Sequence, residues 1–93
     1  MGRRALTAVV QVESASRWDA LALARRLSGY RWYLVEPDDR RWEVRVAVEE
    51  PRRGLPDELR ARIASWVEER HLPPVTVEAG GVAYTIAAGD RLQ

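Results

Sequence analysis

The side chains that could carry chemistry in this sequence are few and scattered. His71 is the sole histidine, and cysteine is absent. Thiolate catalysis, disulfides and thiolate metal sites are therefore excluded, and a histidine-based metal site would need carboxylates for its other ligands. His71 is expected in the last turn of a helix, ahead of Pro73-Pro74, where a cation suits the negative end of the dipole. A structural role follows. Ser14, Ser16, Ser28 and Ser65 have no positioned base and read as caps or surface hydroxyls. Asp38-Asp39 belongs to a turn, while Glu49-Glu50 and Glu68-Glu69 read as solvated pairs. Gly80-Gly81 fits neither the dinucleotide nor the Walker pattern and precedes no helix, so it reads as a hairpin turn. No catalytic, cofactor-binding or metal-ligating set is expected, and the chain reads as a non-enzyme.

The arginines offer a second chemistry. All 15 basic residues are Arg, and they include the doublets Arg3-Arg4, Arg25-Arg26, Arg40-Arg41 and Arg52-Arg53. With Tyr33 and Arg45 on the open sheet face, nucleic-acid bases could stack and phosphates could pair, as on sheet-based RNA binders. Against this, 14 acidic residues leave a net charge of +1, and Phe is absent. The aromatic-rich signature of such domains is missing. Binding of RNA or single-stranded nucleic acid is the alternative reading.

These residues must be positioned by one small domain, 1–93, whose ends 1–4 and 89–93 are expected to be flexible. A hydrophobic fraction of 46% and a charged fraction of 31% suit a globular chain. No apolar run nears the roughly 20 residues of a membrane span. Arg3-Arg4 followed by Ala5–Val10 imitates a secretory leader, but Gln11 interrupts it, and cleavage there would delete a strand. A cytoplasmic setting is expected, in keeping with the missing cysteines. The exclusive use of arginine suggests a GC-rich bacterial gene.

The elements centre on a hairpin over residues 31–49. Trp42, Val44, Val46 and Val48 alternate with Arg41, Glu43, Arg45, Ala47 and Glu49, the period of a half-buried strand. A three-residue Pro37-Asp38-Asp39 loop would set Glu36 opposite Arg40, Leu34 opposite Trp42 and Trp32 opposite Val44. Trp32 and Leu34 are then buried. Residues 5–13 alternate as a first strand. Ser16 with Asp19 resembles a capping box and opens a helix over 16–28, with Ala20, Leu23, Ala24 and Leu27 facing the core. After a break at 51–54, Pro56 is expected at the first position of a second helix. Its apolar stripe is Leu59, Ile63, Trp66 and Val67, and Glu58 pairs with Arg62. Gly80-Gly81 then joins two strands with Ala79 opposite Val82, Val77 opposite Tyr84 and Val75 opposite Ile86. Of the four tryptophans, Trp32, Trp42 and Trp66 suit the core, and Trp18 is a staple or an exposed contact.

The expected fold is α+β: a two-layer, ferredoxin-like β-α-β-β-α-β sandwich with an additional C-terminal strand and two helices on one face of an antiparallel sheet. Strands one and three are expected to pair in parallel. The open face then carries few charges. Thr7, Val9, Tyr33, Val35, Arg45, Thr76 and Thr85 mark it as an interaction surface, because a solvated face should be more polar. The leading reading is a non-catalytic interaction or regulatory module that homodimerises through this face or through the edge strand near 82–87, with another protein as the other possible partner. A small enzyme with its cavity inside a dimer is the third reading. No membrane and no cofactor is implied.

Overall fold

The computed structural model describes residues 7–49 and 55–89. Along the chain lie β1 (Thr7–Ser14), α1 (Arg17–Arg25), β2 (Arg31–Asp38), β3 (Arg41–Glu49), α2 (Asp57–Glu69), β4 (Val75–Ala79) and β5 (Val82–Ile86). The expected break at 51–54, the flexible ends apart from Gly89, and the doublets Arg3-Arg4 and Arg52-Arg53 lie outside the described residues.

The strands form one antiparallel sheet in the order β2-β3-β1-β4-β5, and both helices pack on one face of it. The expected parallel pairing of β1 with β3 does not occur. The β1-α1-β2 crossover returns the chain in the direction of β1. The hairpin then reverses it and lays β3 between β1 and β2, antiparallel to both. Alternation settles which side chains face the helices: Val10 and Val12 from β1, Val44, Val46 and Val48 from β3, Val77 and Ala79 from β4, and Ile86 from β5. Each fully buried aliphatic side chain stabilises the fold by about 1.5–3 kcal/mol relative to an exposed one.

The 31–49 hairpin keeps its expected faces but slides by two residues. Leu34 pairs with Val44 and Trp32 with Val46, and a bulge falls between Val35 and Asp38. The turn contracts because Asp38 Oδ1 accepts the Arg40 N–H at 2.9 Å, so Asp38 pairs with Arg41. A two-residue slide preserves the side-chain faces where a one-residue slide would invert them. Trp32 is nevertheless 40% exposed rather than buried, because β2 is an edge strand. The β4–β5 hairpin has the expected pairing throughout, with Gly80 and Gly81 at φ 61° and 80°, as a type I′ turn requires.

Helix α1 starts as expected, with Ser16 Oγ accepting the Asp19 N–H at 3.2 Å, but it ends at Arg25 rather than at residue 28. The capping box is incomplete: Asp19 Oδ1 accepts from Arg70 Nε at 2.8 Å instead of returning to Ser16. In α2, Pro56 is the N-cap, one position earlier than expected, and Leu59, Ile63, Trp66 and Val67 are buried. His71 lies beyond the last turn. It sits at φ 55°, its N–H reaches the Glu68 carbonyl, and the Leu72 N–H reaches the Val67 carbonyl, which is a Schellman closure with His where Gly is usual.

Arginines lock the helices together. Arg26 pairs with Glu69 at 2.7 Å, so the Glu68-Glu69 doublet is not simply solvated. Arg62 pairs with Glu58, as its i,i+4 spacing suggested, and also donates to the carbonyls of Arg26 and Ser28, which close the C-terminal end of α1. Trp66 Nε1 donates to the Asp19 carbonyl at 2.8 Å, so the largest core side chain has its polar atom satisfied. Among the described residues no helix is long and apolar enough to cross a membrane.

Two outcomes follow. His71→Gly relieves left-handed strain and should raise stability in chemical denaturation by about 1 kcal/mol; an unchanged or lower midpoint would refute that strain. The Arg26 guanidinium holds Glu69 below the usual carboxylate range, and the Arg40 N–H with Arg41 does the same for Asp38. Their stabilisation is complete only above roughly pH 5.5, where the unfolded carboxylates are also ionised, and is lost as pH falls through the lowered values. Both side chains are more than half exposed, so the effect is small. Glu69→Gln combined with Asp38→Asn should flatten the acid limb of a stability-versus-pH curve.

Candidate functional site

The open face is built by the residues that alternate away from the helices, and the registers arrange them in rows across the sheet. One row runs Tyr33, Arg45, Gln11, Glu78 and Ala83. Next to it runs Val35, Glu43 and Glu13 on β2, β3 and β1, with the Thr76–Thr85 pair following on β4 and β5. On the other side Arg31, Ala47 and Val9 line up.

All seven residues expected on an interaction surface lie on these strands, but they do not form one cluster. Tyr33 is paired with Arg45, Val35 lies beside Glu43, Thr76 is paired with Thr85, and Val9 lies opposite Ala47. Thr7 sits opposite Glu49 at the start of the ladder. Between them runs a charged centre that the composition of the face had obscured. Gln11 and Glu13 alternate outward from β1 and stand beside Glu43, Arg45 and Glu78. The expected weakly charged face instead has a centre of carboxylates paired with Arg45 and Arg41, flanked by the row of Arg31, Ala47 and Val9 on one side and the Thr76–Thr85 pair on the other. Strand periodicity alone places Gln11 and Glu13 there.

The electrostatics of that centre are strained. Glu43 is only 8% exposed, although it lies on the open side, and it stands opposite Glu13 in the ladder. Like charges directly opposed are destabilising. Arg45 compensates by donating Nε and Nη2 to Glu43 Oε1 at 3.0 and 2.9 Å. This hydrogen bond, with a contribution from Tyr33, pushes Arg45 above the usual arginine value. Arg41 lies 3.6 Å from Glu13 and also binds Asp38 at 3.2 Å. A shallow cavity of about 170 Å³ over Gln11, Glu13, Glu43, Thr76, Glu78 and Ala83 is therefore acidic. Among the described residues no group of three or more His, Asp or Glu is arranged to hold a metal ion.

A second cleft, of about 240 Å³, opens at the end of the sheet between the Ser14–Ala15 turn, Arg40-Arg41 and Leu72–Thr76. Two of its polar side chains, Ser14 and Asp19, serve the fold. Ser14 Oγ donates to the Ser16 carbonyl, and Asp19 holds Arg70. Trp18, on the outside of α1, is 71% exposed, so the staple reading does not hold.

The two sheet edges differ. β2 carries Pro37, a bulge and the charges Arg31, Glu36 and Asp38, all devices that discourage strand addition. β5 reads Val-Ala-Tyr-Thr-Ile, with no charge, no proline and no bulge, and Val82 is 51% exposed. The type I′ turn makes Ala79–Val82 a hydrogen-bonded pair, so alternation gives Val82, Tyr84 and Ile86 to β4 and turns the N–H and C=O of Ala83 and Thr85 outward.

Arg45→Met should lower the thermal midpoint by a few degrees, because it leaves the near-buried Glu43 carboxylate facing Glu13 without a cation. Adding Glu43→Gln should recover most of that loss. A double variant as unstable as the single one would show that Arg45 acts by packing alone. Comparison of the chain with known protein families, with curated proteins and with solved structures finds no match.

Proposed function

We infer that this chain is a non-catalytic interaction module that works as a homodimer. The observation that carries the reading is the contrast between the guarded β2 edge and the unguarded β5 edge. An edge strand with unpaired backbone groups is a template for another strand, and a closed two-fold dimer is the commonest way to satisfy one. The sheet order is compatible with a ferredoxin-like β-α-β-β-α-β unit in β2-β3-β1-β4, extended by β5 at the β4 side. The cysteine-free, arginine-only composition suits a reducing cytoplasm and a GC-rich bacterial gene.

Nucleic-acid binding is the second reading, favoured by Tyr33, which is 49% exposed and paired with Arg45. The same geometry weighs against it. Arg45 is committed to Glu43, and around it the carboxylates Glu43, Glu13 and Glu78 outnumber the diagonal cation Arg31. Phosphate would meet carboxylates where binding needs free guanidinium groups.

Light scattering across a dilution series separates the readings. A mass twice that of the 10.6 kDa chain is expected, falling toward the monomer only on strong dilution. A monomer at every concentration would overturn the homodimer. Salt-dependent binding of single-stranded RNA that is lost in Tyr33→Ala would favour the second reading instead.

A further inference from the structure

We propose that the dimer forms by antiparallel pairing of β5 with β5 of a second copy, centred on Tyr84 opposite Tyr84, so that two five-stranded sheets become one. This deepens the homodimer reading and rests on it.

The register follows from which backbone groups point outward. Ala83 and Thr85 present theirs away from β4, so these two must form the hydrogen-bonded pairs with the second strand. A two-fold axis through Tyr84 sets Ala83 opposite Thr85 of the second copy and Thr85 opposite its Ala83, closing four backbone hydrogen bonds. Val82 then lies opposite Ile86, and all five residues of the strand find partners. Centring the axis on Ala83 or Thr85 instead would pair fewer of them. The faces also match. Val82, Tyr84 and Ile86 alternate toward the helices in both copies, and Ala83 and Thr85 toward the open side. The strand itself brings no charge to the seam, because it contains none.

The occupant is a second copy because the strand is complementary to itself in this register and because the other edge cannot serve. The β2 bulge between Val35 and Asp38 breaks its ladder, and Pro37 lacks a donor. α2 flanks the seam with the Arg60 guanidinium 5.6 Å from the Tyr84 ring centre, so both α2 helices would lie on the same side of the joined sheet.

The absence of cysteine makes cross-linking unambiguous. Cα atoms of a non-hydrogen-bonded antiparallel pair lie about 4.5 Å apart, inside the ~4.4–6.8 Å that a disulfide spans. Tyr84→Cys should therefore oxidise to a covalent dimer within the native assembly. Thr85→Cys, whose nearest copy is diagonal at about 7–8 Å, should cross-link far less. Thr85→Pro removes one outward donor without touching the β4 ladder, and it should give a folded monomer by light scattering and circular dichroism. The reverse cross-linking pattern, or efficient linkage through Val9→Cys, in a protein that is still dimeric would place the interface on the open face and overturn the register. A dimer that survives Thr85→Pro would overturn edge pairing. A wild-type monomer would remove the homodimer reading itself.

Discussion

Everything in this small fold depends on the side-chain alternation of β1. It is the central strand, paired with β3 on one side and β4 on the other, and its alternate residues Val10 and Val12 are fully buried under the helices. From that strand outward, each register must keep the same parity, or an entire strand would turn its apolar set to water. β3 meets the condition with Val44, Val46 and Val48, β4 with Val77 and Ala79, and β5 with Ile86. The same parity puts Gln11 and Glu13 on the open side. The charged centre of that face is thus a direct consequence of how the core is built.

The second organising feature is the role of arginine. Arg26, Arg62 and Arg70 hold α1 against α2 through carboxylates and through the carbonyls at the end of α1. Arg41 and Arg45 neutralise carboxylates on the open side. Exposed ion pairs contribute little one at a time. Here they matter more for what they remove: guanidinium groups bound to the protein's own oxygens do not form a basic patch. The arginine-rich sequence, read as doublets, suggested a possible phosphate surface. Read in space, much of it is internal fastening.

Local chemistry was legible in the sequence, and tertiary relations were not. The β4–β5 hairpin could be read residue by residue because Gly80-Gly81 and the hydrophobic alternation dictate the same pairing. The faces of the 31–49 hairpin were readable, but its register was not: the Asp38 side chain captures the Arg40 N–H and tightens the turn. The burial expected of Trp32 failed because hydrophobic pattern names a face and cannot tell an edge strand from a central one. The antiparallel direction of β3 relative to β1 follows from the element order, because the crossover restores the direction of β1 and the hairpin reverses it. What no local signal records is that β3 lies between β1 and β2. The seven interaction residues were placed on the correct strands. Their separation by Gln11, Glu13, Glu43 and Glu78 emerges only when the rows of neighbouring strands are aligned.

What remains functionally distinctive is an edge, since β5 ends the sheet with outward backbone groups and none of the guards seen on β2. Amide hydrogen exchange resolved by residue tests this most directly in the unmodified protein. The Val82, Tyr84 and Ile86 amides point into the β4 ladder and should be protected at any concentration. The Ala83 and Thr85 amides should exchange fast when the protein is dilute and become protected as its concentration rises. Fast exchange of Ala83 and Thr85 at high concentration, in a protein whose other strand amides are protected, would contradict pairing at this edge.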